Sequence, residues 1–88
     1  MPTCRVTVVN ALGLHARAAA RFVRLAGQFR SGIHVARGGR RVDGKSILGL
    51  LLLSAARGSV LEISAEGDDA GRALDALRAL VERGFEDA

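Results

Sequence analysis

His15 lies between a glycine-containing stretch, Asn10 to Gly13, and a run in which apolar residues recur every three or four positions. A helix that starts after His15 puts the imidazole where unpaired backbone N–H groups and the positive end of the helix dipole converge. An anion is favoured there. A phosphoryl group on a ring nitrogen would accept hydrogen bonds from the amides of Ala16, Arg17 and Ala18, and a neutral imidazole supplies the nucleophilic nitrogen that receives it. Arg17 follows two residues later, within reach of a phosphoryl oxygen, and the guanidinium fork suits that contact. Gly13 is expected to give the loop freedom to place the ring. Taken singly, His15 is a helix cap and Arg17 a solvated helix residue. Their pairing at one helix start is what points to phosphoryl chemistry. His34, mid-strand on a polar face, has no such context and is assigned no role.

The elements that must position His15 can be read from periodicity. Cys4, Val6 and Val8 alternate with Arg5, Thr7 and Val9, the pattern of a half-buried strand. Beyond His15, Ala19, Phe22, Leu25, Ala26 and Phe29 form an apolar helical stripe opposite Arg17, Arg21, Arg24 and Gln28. Ile33 and Val35, the Gly38-Gly39 turn and Arg40 to Val42 make a hairpin. Ser46 is expected at or near the N-cap of a short helix in the run Ile47 to Leu53. Leu61, Ile63 and Ala65 alternate as a last strand. Asp68 or Asp69 is expected to cap a final helix whose apolar face is Ala70, Ala73, Leu74, Leu77, Leu80 and Val81, with Gly84 as its stop. One stripe per helix and one face per strand give an α+β fold, an open-faced sandwich with three helices on one side of a four-stranded sheet and solvent on the other.

Eighty-eight residues suffice for a single domain, residues 1–88, with one modest core. No Trp or Tyr is present, so the core must be aliphatic, completed by Phe22, Phe29 and Phe85. Cys4 is the sole cysteine, which excludes an internal disulfide and a cysteine-based metal site; no metal or cofactor is expected. A signal-peptide pattern is lacking, and the apolar run Ile47 to Leu53 is far short of the roughly 20 residues that span a bilayer. These features lead us to expect a soluble cytoplasmic protein without membrane insertion, acting as a monomer. The net charge of +4, from 13 basic against 9 acidic residues, suits anionic groups and acidic partners.

Two segments resemble the HPr-type histidine phosphocarriers of the bacterial phosphoenolpyruvate-dependent phosphotransferase system. G-L-H-A-R-A-A-A, Gly13 to Ala20, is similar to the family's active-site segment, and D-G-K-S-I-L-G-L-L, Asp43 to Leu51, to its regulatory-serine segment. The resemblance covers nearly the whole chain, and both matches are in register. It implies that Enzyme I phosphorylates His15 on Nδ1, that the group passes to a IIA domain, and that Arg17 assists both transfers. It further implies an open-faced sandwich, and makes Ser46 a candidate for an ATP-dependent HPr kinase/phosphorylase. Ala18 stands where the family usually has Pro, which exchanges a preset backbone for one more amide donor. The pathway implied is sugar transport or its regulation, or the nitrogen-related branch, to which L-L-L-L-S-A-A-R-G and the ending G-F-E-D-A are more similar.

By the same resemblance the partner-docking surface maps onto Ala16, Ala20, Ile47, Leu48, Leu51 and Leu52. Seven consecutive apolar residues on a helix cannot all face one core, so some must be exposed and available to a partner. The rival reading is a small basic nucleic-acid-binding module built on Arg37, Arg40, Arg41 and Lys45 around the Gly38-Gly39 turn. No aromatic side chain accompanies those bases to stack on nucleobases, so a nucleic-acid partner is not expected. A self-contained enzyme is equally poorly supported, because no phosphate-cradling glycine loop and no serine or cysteine nucleophile with its base is recognisable.

Overall fold

A computed structural model describes residues 1–86; Asp87 and Ala88, the end of the G-F-E-D-A segment, lie outside the described residues. In chain order the elements are β1 (Thr3–Thr7), α1 (Ala16–Ala26), β2 (Gly32–Arg37), β3 (Arg40–Asp43), α2 (Ile47–Leu51), β4 (Val60–Glu66), α3 (Ala70–Glu82) and a closing 3-10 turn, Gly84–Glu86. The four strands form one antiparallel sheet in the order β1-β4-β2-β3.

Register follows from which side chains face the helices, because a slip of one residue would turn every apolar group toward water. Val6 pairs with Leu61, Cys4 and Val35 with Ile63, and Ile33 with Ala65. These residues line the inner face together with Phe22 of α1 and Ala73, Leu77 and Val81 of α3, all buried except the half-buried Cys4. On the outer face Arg5 lies 3.6 Å from Glu62, with Thr7 and Val60 exposed beside them.

The expected strand Cys4 to Val9 is regular only as far as Thr7, but its pairing continues: Val8 donates to Ser59 O and its carbonyl accepts from Gly58. Phe85 is fully buried, in the left-handed region at φ 56° between Gly84 at 68° and Glu86 at 63°. Burial of its ring stabilises a backbone that an L-residue rarely adopts.

At α3 the capping expectation needs correction. Asp69 occupies the N-cap, yet its side chain makes no cap hydrogen bond. Its carboxylate instead reaches across to the turn after α1, accepting from the amides of Arg30 and Ser31 and from the Ser31 hydroxyl. The Ser31 hydroxyl, followed by the Arg30 amide, holds the carboxyl at about 2, below its ordinary 3.8. Gly67 allows the approach, since a Cβ there would sit 2.6 Å from the Ser31 hydroxyl oxygen.

Candidate functional site

Helix α1 starts where the sequence reading put it. His15 is its N-cap, in extended conformation, and its Nδ1 accepts the N–H of Arg17 at 3.2 Å. A nitrogen that accepts carries its lone pair, so the nucleophilic electrons of Nδ1 point into the helix N-terminus. The first turn contains no acidic residue, and the dipole there meets no carboxylate from its own helix. His15 is half-buried and Arg17 exposed. Ala16 is exposed as well, whereas the side chain of Ala18 is fully buried and contributes to the core. Of the three amides expected to receive a phosphoryl group, Arg17's is thus occupied by the imidazole itself.

The loop before His15 is pinned, contrary to the freedom expected of Gly13. Gly13 has φ 66°, and a Cβ on it would lie 2.5 Å from the Ala55 carbonyl oxygen. The next amide, that of Leu14, donates to that same oxygen at 2.9 Å. Glycine is needed here for close backbone approach and a left-handed turn. The loop is a rigid bracket for the histidine.

Ser46 caps α2 as expected, its hydroxyl accepting from Gly49 N–H at 3.0 Å. The apolar run divides by helical phase: Leu50 and Leu53 are buried and Leu51 half-buried, while Ile47, Leu48 and Leu52 are 41%, 70% and 54% exposed. Helix α2 ends at Leu51, with Leu52 as its C-cap. Ala20 is half-buried. Sequence reasoning missed Leu12, which is 74% exposed only three residues before His15. It falls in a loop without periodicity, so no pattern marked it.

Three of the four basic residues read around the Gly38-Gly39 turn, Arg37, Arg40 and Lys45, donate to backbone carbonyls, and Arg41 lies at the surface 3.9 Å from the Met1 sulfur. Arg40 donates to Leu52 O at 2.9 Å and Arg37 to Leu53 O at 3.2 Å, satisfying carbonyls at the end of α2. Lys45 donates to Phe29 O at 2.8 Å. His34 lies opposite Asp43 and Ser64 in the sheet, away from α1.

A family model described as "PTS HPr component phosphorylation site" matches residues 2–83. The chain belongs to the HPr family. The phosphocarrier protein HPr of Cupriavidus necator is 47% identical over 79 residues, 90% of this chain and 89% of that protein. The phosphocarrier protein NPr of Shewanella violacea is 42% identical over 84 residues, 96% of this chain and 92% of that one. The crystal structure of HPr-C-His from Thermoanaerobacter tengcongensis superposes with a TM-score of 0.95 at 41% identity, covering 100% of this chain and 99% of that chain. The family is one of phosphocarriers, and the open-faced sandwich expected from periodicity is the HPr fold. No helix among the described residues is long and apolar enough to cross a membrane.

Proposed function

We propose that this chain is a single-domain, monomeric phosphocarrier of the cytoplasm that receives a phosphoryl group from phospho-Enzyme I on Nδ1 of His15 and donates it to a IIA domain. The observation that carries the reading is the Nδ1 lone pair held at the N-terminus of α1, within hydrogen-bond distance of the Arg17 amide. In the transfer, the Nδ1 pair forms the new N–P bond while the bond from phosphorus to the donor breaks and its electrons leave with the donor. The Arg17 N–H then passes from the nitrogen to a phosphoryl oxygen. The amides of Ala16 and Ala18 and the Arg17 guanidinium balance the remaining charge.

The exposed side chains of Ile47, Leu48 and Leu52, with Ala16, Ala20 and Leu51, make up the surface that both partners would cover. Sugar transport or its regulation is the pathway proposed, with the nitrogen-related branch as the alternative, and relatives named HPr and NPr are both similar to this chain. The engagement of Arg37, Arg40 and Lys45 with backbone carbonyls favours protein partners over nucleic acid. Ser46 is the proposed target of an HPr kinase/phosphorylase. The test is labelling with phosphoenolpyruvate and Enzyme I. The parent chain and His34→Ala should acquire an acid-labile, base-stable phosphoramidate and His15→Ala none; label persisting in His15→Ala would reject the assignment.

A further inference from the structure

The hydrogen bond between His15 and Arg17 is long and at the surface, so it is a weak restraint on the imidazole by itself. The ring's direction also follows from the backbone entering α1, and that backbone is fastened at Leu14 by the Ala55 carbonyl and at Gly13 by Asn10. The Asn10 carboxamide donates from Nδ2 to Gly13 O at 2.8 Å, while Gly13 N–H donates back to Asn10 O at 3.1 Å. Gly13 O also accepts the N–H of His15 at 3.0 Å. The same carbonyl therefore receives the Asn10 side chain and the histidine's own amide, and the orientation of the one peptide sets the other.

Asn10 is itself wedged from behind. Gly84 packs so close that a Cβ there would meet the Asn10 Cβ at 3.2 Å. The next residue is the fully buried Phe85, whose carbonyl accepts from Arg21 of α1 at 2.8 Å. The C-terminal turn thus fixes Asn10, Asn10 fixes the Gly13 peptide, and that peptide fixes His15.

We propose that Asn10 is a positioning residue for phosphoryl transfer, holding the His15 imidazole in line with the N-terminus of α1 without touching the transferred group. The proposal rests on His15 being the acceptor. Asn10→Asp keeps the shape of the side chain but replaces the donor with a charged acceptor facing Gly13 O; Asn10→Ala removes the group. In both, the rate of phosphoryl entry at saturating phospho-Enzyme I should fall about tenfold, since small misplacements of a reacting group are costly in rate. KM for Enzyme I should stay within twofold, because the docking side chains are untouched. Hydrogen-exchange protection of the Arg17 amide should drop in parallel. If Asn10→Ala folds poorly, the volume-conserving Asn10→Asp decides. A saturating rate within twofold of the parent, or a loss confined to KM, would overturn the proposal. Were the parent chain itself not labelled, the carrier reading would fail instead, and the Arg17 exchange measurement would still report whether Asn10 orients His15.

Discussion

The N-termini of α1 and α3 use the same device for different ends. Each begins with a side chain able to accept backbone hydrogen bonds, His15 in one and Asp69 in the other. Asp69 is engaged elsewhere: two amides and a hydroxyl from the turn after α1 converge on its carboxylate, and its side chain makes no cap bond to its own helix. Nδ1 of His15 accepts the Arg17 amide over 3.2 Å at the surface, a long bond that can be exchanged for another. An acceptor at a helix start becomes part of the fold when short bonds from other elements fill it, whereas a long bond at the surface is more readily exchanged. Ser46 on α2 stands between them, satisfied locally yet half-exposed.

The contrast is broken most severely by His15→Ala. Labelling should be lost completely, while stability falls by about 1 kcal/mol, the usual worth of a cap; chemical denaturation of parent and variant measures the second quantity. Arg17→Ala is the next largest effect. Loss of one charge-stabilising donor at a transfer site commonly slows the step by about a hundredfold, and an exposed helix arginine should leave the melting temperature almost unchanged. Rapid-quench measurement of phosphoryl entry, beside a thermal melt, would show both, and an undiminished rate would make Arg17 an ordinary surface residue.

Ser46→Asp sharpens the intermediate case. A negative charge is tolerated at a helix N-terminus, so the fold should persist, but that charge must be desolvated when Ile47 and Leu48 meet Enzyme I. Phosphoryl entry should slow by roughly tenfold through a higher KM, with Ser46→Ala near the parent. The smallest effect at neutral pH belongs to Asp69→Asn, which should be labelled at the parent's rate. Its signature is acid stability. Because the folded carboxyl titrates at about 2 rather than 3.8, the ionised form stabilises the fold fully above 3.8 and loses that contribution as pH falls toward 2. Denaturation midpoints across that window should decline steeply in the parent and more gently in Asp69→Asn.

Much of this was legible in the residues. Alternation and helical stripes placed β1, α1, β2, β4 and α3, the glycine turn placed β3 and the Ser46 cap placed α2, and the candidate residues His15 and Ser46 were found at helix starts by local signals that need no tertiary context. What escaped were relations between distant segments. Asp69 looked like a cap because its competitor Ser31 lies 38 residues away. Gly13 suggested looseness because the Ala55 carbonyl that confines it belongs to the connection before β4. Asn10 resembled any turn residue until its carboxamide was seen to share Gly13 O with His15. Leu12 carried no signal, since exposure in a loop follows from the packing around it.

The strand order carries a consequence for how the molecule comes into being. Strand β1 pairs with β4, Thr3 with Ser64 and Thr7 with Val60, and the bracket around His15 leans on Ala55 and, through Asn10, on Gly84. His15 precedes the segments that frame it, so the frame can close only after those later segments have been made, and closing it requires a long loop to be ordered. A nascent or truncated chain that stops short of β4 has the nucleophile without the geometry. In the proposed function, competence to accept a phosphoryl group is then acquired only once those later segments are in place.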